Sequence, residues 1–147
     1  MKRLAVFGIC IALLLGVTTG DARNTIHQLP VEAAMAQGES KGVVGDDIAL
    51  YFGDATTPAV ERNHGQFTAN RKTNAFNKSD EEACNWAFLS AIKSLQERAR
   101  RQGGNAVVNI YSYYYKNEFV SQTEFECGAG AMVAGVTMIG DVVTLAE

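Results

Sequence analysis

A few side chains in this sequence could hold a metal ion. Two histidines are present, His27 and His64, both in segments predicted to be loops or helix edges. Asp46, Asp47 and His64 could supply the oxygen and imidazole ligands of a metal site. Their spacing does not require such a site, and exposed loop positions are the simpler interpretation. The three residues are therefore metal-ligand candidates, and we predict no cofactor.

A group of cations and amides comes shortly before a strongly predicted helix. Arg71, Lys72 and Asn74 lie ahead of the helix start, where cations could hold an anionic group beside the positive helix end. The alternative is that Arg71 and Lys72 pair with the acidic first turn, residues 80–82, while the asparagines cap turns. We take Arg71, Lys72 and Asn74 as candidate ligand residues.

Tyrosines recur along one predicted strand. Tyr111, Tyr113 and Tyr115 alternate and therefore share one face, with Tyr114 on the other. Such a row is typical of a surface that binds a sugar or a partner, or of an oligomer interface. It equally fits a half-buried sheet face, where aromatic residues are favoured. The three tyrosines are candidate interface residues.

The first 22 residues have the parts of a secretory signal peptide. A short positive start is followed by an apolar run, residues 4–17, and by small residues up to Ala22. The run is too short to span a bilayer, which takes about 20 apolar residues. We therefore predict a signal peptide at 1–22 and a single periplasmic or secreted domain at 23–147, with no stable membrane span.

The charge of the chain argues against some partners. Removing the signal peptide takes away Lys2, Arg3 and Asp21 and changes the formal net charge from −3 to −4. A mildly acidic domain has no general attraction for nucleic acid or for an anionic lipid surface. We predict no nucleic-acid partner.

Export would leave two cysteines, Cys84 and Cys127, in an oxidising compartment. An even number there favours a disulfide. Cys84 lies on the apolar stripe of the predicted helix, and Cys127 shares an apolar strand face with Phe125. The two sulfurs would therefore meet if the helix packs on that face. Because no Cys-x-x-Cys redox spacing is present, we predict a structural disulfide between Cys84 and Cys127.

One long helix is the clearest element that positions these residues. It is predicted from Asp80 to about Gln102, with Ser79 and Glu82 as a capping box and Gly103 as a left-handed stop. Its three- and four-residue apolar spacing predicts a buried stripe, which comprises Cys84, Phe88, Ala91, Ile92, Leu95 and Ala99.

The remaining elements define the predicted fold class. We predict a short helix within 27–37 with Pro30 at its first position, and a loop from Thr56 to Gly65. Strands are predicted at 48–52, 66–75, 106–115, 119–127 and 131–145, the last being one strand or a strand pair, bent or turned at Gly140-Asp141. This order predicts an α+β fold: one long helix packed on a mostly antiparallel sheet of about four to five strands, with a short N-terminal helix.

Three stretches, 70–86, 103–110 and 123–127, carry a resemblance to a known group. With them, residues 43–147 resemble small exported bacterial proteins often labelled "excinuclease ATPase subunit". Such a subunit needs a phosphate loop of the form Gly-x-x-x-x-Gly-Lys-Ser/Thr. The sequence has no Gly-Lys dipeptide, so we predict that the protein is not an excinuclease ATPase.

A more distant resemblance involves the helix that ends in Gly-Gly-Asn-Ala-Val-Val, residues 103–108. It looks like the YbjQ-type domain, described as heavy-metal-binding and assembling as a ring. It is also similar to the disulfide-bonded envelope-stress sensor of the Rcs pathway. Both resemblances imply a compact α/β domain with the long helix against the sheet. This chain departs from the sensor by lacking a lipid-anchor cysteine and a second disulfide.

The function class follows from what the sequence offers. No histidine stands in an evident pairing with a Ser, Cys or Thr nucleophile. We therefore predict a non-enzymatic binding or interaction module of the cell envelope. Its partner would be an unknown envelope protein or a small ligand, and a homo-oligomer is left open. The alternative is a metal- or anion-binding periplasmic protein.

Overall fold

The structure, a computed structural model, describes residues 23–147. The predicted signal peptide, 1–22, lies outside the described residues. Within the described range, six strands and two α-helices follow one another. They are β1 (Thr25–Pro30), α1 (Val31–Ser40), β2 (Ala49–Phe52), β3 (Val60–Asn74), α2 (Asp80–Gln102), β4 (Ala106–Ser112), β5 (Glu124–Ala129) and β6 (Val133–Leu145).

The strands form one sheet around β6. β3 is antiparallel to β6 along its whole length, from Asn74 opposite Val133 to Val60 opposite Leu145. The other edge of β6 is shared by β5 at its beginning and by β4 from Met138 onward, both antiparallel. The sheet continues outward from β5 to β1, which is antiparallel, and from β4 to β2, which is parallel.

The predicted fold class is wrong in its details. The described residues are mostly β, with 42% in strands and 29% in helices. They form a mixed sheet of six strands rather than four to five, and one of its five strand pairings, that of β2 with β4, is parallel. The long helix does cover one face, since α2 packs on β3, β5 and β6. The missed features are pairings between distant segments, which local sequence patterns do not encode.

The prediction for α2 is confirmed from end to end. Ser79 Oγ accepts a hydrogen bond from the Glu82 amide at 3.1 Å, and Gly103 closes the helix with φ 78°. A left-handed residue here costs least when it is glycine. Every residue of the predicted stripe is buried, so the apolar spacing identified the packed face correctly.

The core lies between α2 and the sheet, and a disulfide joins the two layers. Cys84 and Cys127 are bonded, with their Cα atoms 5.8 Å apart, in agreement with the predicted pair. Both cysteines are fully buried. Nearby, the rings of Phe88 and Phe125 stack with centroids 4.1 Å apart. The helix is therefore fixed to β5 by a covalent bond and by aromatic packing.

Several predicted boundaries are wrong, each for a local reason. Pro30 ends β1 and caps α1 instead of beginning the helix. The predicted loop 56–65 contains the start of β3. The first residues of this strand are exposed, so they do not alternate between apolar and polar and give no strand signal. Of the two alternatives for 131–145, the single strand is the one observed: Gly140 packs against Val107 and stays in register with β3.

Candidate functional site

The chain leaves the sheet immediately after β4. The predicted strand to Tyr115 ends at Ser112, and Tyr114–Lys116 forms a short 3-10 turn. Tyr115 and Lys116 have positive φ values of 48° and 61°. Such a conformation costs a non-glycine residue roughly 1–2 kcal/mol. We call residues 113–116 the tyrosine turn, and it replaces the predicted row of tyrosines on one strand face.

The tyrosine turn is anchored to the sheet on both sides. The Tyr113 amide donates to the Thr137 carbonyl at 2.8 Å. Asn117 Nδ2 donates at 3.0 Å to Oε1 of Glu126, a residue that is 5% exposed. The Glu126 amide in turn donates to Ser112 Oγ at 2.9 Å. These contacts hold the turn over the sheet face opposite α2, which we call the far face.

The ring of Tyr114 lies on a pair of glycines in the far face. Gly128 of β5 is directly opposite Gly135 of β6. A Cβ atom at Gly128 would overlap the ring, whereas one at Gly135 would lie 3.5 Å from Tyr114 Cε2. The hydroxyl donates to Asn24 Oδ1 at 3.2 Å. Desolvation, with smaller effects from Tyr115, raises the pKa of Tyr114 to about 12, so its hydroxyl stays protonated at neutral pH.

Two grooves flank this ring. The larger groove has a volume of about 510 Å³ and the smaller one about 360 Å³. Both are lined by Lys72, Tyr114 and Tyr115. The larger groove adds Arg23, Asn24, Gly130, Ala131, Met132, Val133 and Gly135. The smaller groove adds Asn70, Tyr113, Lys116 and Thr137.

The register of β3 and β6 explains how these residues meet. Ala134, Val136 and Met138 point into the core under α2, so the alternate residues of β6 lie on the far face. Asn70 pairs with Thr137, and Lys72 pairs with Gly135. Because Gly135 has no side chain, the space above it is open to Tyr114 and Lys72.

The grooves are positively charged. Their lining includes Arg23, Lys72 and Lys116 but no aspartate or glutamate. Arg23 already has a partner, because its guanidinium donates hydrogen bonds of 2.7 and 3.0 Å to the Asp80 carboxylate. Within residues 23–147, the ammonium groups of Lys72 and Lys116 make no hydrogen bond or ion pair. Lys72 and Lys116, the two cations without a partner in this range, therefore lie beside Tyr115, which is 76% exposed.

Three of the six candidate ligand residues line the grooves, namely Lys72, Tyr113 and Tyr115. The other three lie elsewhere. Arg71 is on the helix side of β3 and donates to Ser94 Oγ at 2.7 Å. Asn74 accepts from the Phe76 amide at 2.8 Å, as in a turn. Tyr111 packs edge-on against Tyr113, and burial raises its pKa.

The start of α2 is occupied by other residues than predicted. Asp80 accepts hydrogen bonds from Arg23 and, at 2.8 Å, from His27 Nε2. The hydrogen bond from Arg23, followed by that from His27, lowers the pKa of Asp80 to about 2. The interpretation that Arg71 and Lys72 pair with the first turn is therefore wrong, since Asp80 is paired with Arg23, which precedes β1, and with His27 of β1.

The metal-ligand candidates are not brought together. Asp47 forms a bidentate pair with Arg100, at 2.7 Å for both bonds. His64 Nε2 lies 2.9 Å from Thr144 Oγ1. In the part of the chain that the structure describes, no three His, Cys, Asp or Glu side chains form a group suited to a metal ion. Asp46, Asp47 and His64 thus form no such group.

Sequence reasoning missed several residues of the site. The strand pattern places Tyr114 on the opposite strand face and does not single out Lys116. Gly128 belongs to the site because the Tyr114 ring packs on it, a contact between segments that no local pattern indicates. Asn70 and Thr137 carry no local signal, since only the pairing of β3 with β6 makes them neighbours.

Comparisons with known proteins do not add to this geometry. Among residues 23–147, neither helix combines the length and the apolar character needed to cross a membrane. The sequence matches no protein-family model, and neither curated proteins nor solved structures give a match. The resemblances drawn from the sequence therefore stay predictions.

Proposed function

We propose that the protein is an exported, non-enzymatic binding module that takes an anionic ligand in the two grooves of the far face. One observation carries the proposal: Lys72 and Lys116 flank the exposed ring of Tyr115 in grooves that contain no carboxylate. Cations without partners favour an anion, and a charge-assisted hydrogen bond contributes about 1.5–3 kcal/mol.

The chemistry of the tyrosines supports binding rather than catalysis. A general base works best when its pKa lies near the working pH. Tyr114 has a pKa of about 12, so at neutral pH its hydroxyl donates hydrogen bonds and accepts no proton from a substrate. The rings of Tyr114 and Tyr115, with centroids 4.5 Å apart, offer an aromatic wall to a ligand.

The disulfide supports an extracytoplasmic location. Disulfides persist in oxidising compartments, and Cys84 is bonded to Cys127 here. We propose that residues 1–22 direct export to the periplasm or the medium. N-terminal sequencing and thiol labelling of protein from the cell envelope test this part. An uncleaved N-terminus or two free thiols would contradict it.

A titration tests the anion site. The probes are phenyl phosphate and the neutral phenyl glucoside, followed through the amide resonances of Gly135 and Thr137. We expect phenyl phosphate to bind, with an affinity that falls as salt is added. Lys72→Met should weaken binding by about tenfold or more, because it removes the cation that both grooves share. Lys116→Asn should act in the same direction, since asparagine tolerates a positive φ.

Lys93→Met is the matched control. Lys93 is on α2 and its side chain is 55% exposed. Among the residues that the structure describes, its only ion pair is a weak one with Glu97 at 3.9 Å. It should leave the affinity unchanged. Equal affinities of the Lys72 and Lys93 variants, or no binding of phenyl phosphate by the wild-type protein, would overturn the anion site. Sedimentation of the same samples would test the homo-oligomer that the sequence left open.

A further inference from the structure

The two grooves differ in the chemistry of their walls. The larger groove runs along the turn between β5 and β6, which supplies Gly130, Ala131 and Met132, and reaches Val133 at the start of β6. Met132 is 59% exposed and Val133 is 48% exposed. Apolar side chains that share one depression and remain open to solvent mark a surface that gains free energy when it is covered.

The smaller groove is polar. Asn70 and Thr137 lie side by side on paired strands, and Lys72 and Lys116 bring two ammonium groups. Tyr113 completes the wall. Amide, hydroxyl and ammonium groups together can donate several hydrogen bonds to the oxygens of a phosphate or carboxylate.

From this division we infer that the ligand is an anionic amphiphile, a single molecule with a phosphate or carboxylate head and an apolar chain. The head would bind between Lys72 and Lys116, and the chain would lie along Met132 and Val133. The grooves share Lys72, Tyr114 and Tyr115, so one molecule can occupy both. The inference rests on the proposed anion site and adds the apolar half of the ligand.

The formal charge of the protein favours a single molecule over a membrane surface. The described domain carries a net negative charge, as counted above. An anionic bilayer presents its charge to the whole face of a protein and would be repelled. A single amphiphile meets only the local field of Lys72 and Lys116.

A homologous series of ligands provides the test. Inorganic phosphate, butyl, hexyl and octyl phosphate are titrated as monomers against the full mature protein, with octyl glucoside as the neutral control. A chain in an open groove is buried on one side. We therefore expect about a twofold gain in affinity per methylene, from half the free energy that full burial gives. Octyl glucoside should bind at least about tenfold more weakly than octyl phosphate.

Two matched substitutions locate the chain. Val133→Thr should lower the affinity for octyl phosphate by about threefold, because it replaces a methyl with a hydroxyl in the larger groove. The affinity for inorganic phosphate should stay unchanged. Val60→Thr is the control, since Val60 is also 48% exposed. It lies at the start of β3, far from the end of that strand where Asn74 pairs with Val133. It should change neither affinity.

The outcomes separate this inference from the proposed function. If affinity depends on Lys72 but not on chain length, the amphiphile is wrong and the anion site stands. If the Val133 and Val60 variants behave alike, the apolar groove is not where the chain binds, and the inference fails. If no phosphate binds at all, both proposals fail. Equal binding to vesicles of phosphatidylglycerol and to octyl phosphate would contradict the choice of a single molecule.

Discussion

Replacing Gly128 with alanine should lift Tyr114 off the far face. The new Cβ atom would overlap Cε1, Cζ and Oη of the ring. Because β5 is held between β1 and β6, the side chain on the turn must move rather than the strand. The ring then loses its packing and its hydrogen bond to Asn24. Gly128→Ala should therefore reduce the free energy of unfolding by about 1 kcal/mol, at the lower end of what overpacking costs.

The same substitution should change how stability depends on pH. The folded state holds the pKa of Tyr114 at about 12, against an ordinary value of 10.0. A raised pKa contributes stability that is complete below pH 10 and is lost as the pH rises from 10 to about 12. If Tyr114 were fully buried, this pKa difference would contribute about 2.7 kcal/mol to the free energy of unfolding. Because Tyr114 is only partly buried and solvent screens the effect, we expect about 1 kcal/mol.

Titration of tyrosine labelled with ¹³C at Cζ measures both effects, with Tyr114→Phe to assign the resonance. In Gly128→Ala the pKa of Tyr114 should fall toward its ordinary value, and the alkaline loss of stability should shrink. Gly135→Ala is the control, because its Cβ would make an ordinary contact at 3.5 Å. That variant should keep the raised pKa and gain up to about 1 kcal/mol from reduced freedom of the unfolded chain. Equal behaviour of both variants would refute the reasoning.

Two further predictions concern the scaffold under the site. The double substitution Cys84→Ala/Cys127→Ala should reduce the free energy of unfolding by about 4 kcal/mol, the loop-entropy value for a separation of 43 residues. Urea denaturation measures it, and a change below about 1 kcal/mol would contradict it. Gln96→Leu should cost about 1–3 kcal/mol, because the buried amide bonds to both backbone groups of Gly45 and to the Ile48 carbonyl. Gln66→Leu, at an exposed position, should lower the free energy of unfolding by less than about 0.5 kcal/mol. Equal losses for the two variants would contradict the role given to the Gln96 hydrogen bonds.

The parts of the fold that could be predicted are those with local causes. Helix α2 carries its own start at Ser79, its own stop at Gly103 and an apolar stripe, so its bounds follow from the sequence alone. The disulfide follows from the stripe and from the alternation in β5. In contrast, β1 and the parallel pair of β2 and β4 depend on partners far along the chain. No local pattern distinguishes those pairings from other arrangements.

The candidate site shows the same division. Lys72 and Tyr113 could be proposed from their neighbours in sequence, but their joint groove depends on where β4 ends. Tyr115 and Lys116 adopt positive φ without glycine or asparagine to signal it. Gly128 and Gly135 become a platform only because β5 and β6 pair there. The residue types were therefore visible in the sequence, whereas their convergence was not.

The strain in the tyrosine turn bears on why the grooves exist. Two adjacent left-handed residues cost about 2–4 kcal/mol in total, and the core does not contain either of them. The cost is offset by contacts on each side, including the bond from Asn117 to Glu126 and the ring of Tyr114 on the glycines. What the strained conformation achieves is to expose Tyr115 and to bring Lys116 to the groove that Lys72 lines. Strain that serves exposed groups instead of the core is typical of a binding site, and this places the tyrosine turn at the centre of the proposed function.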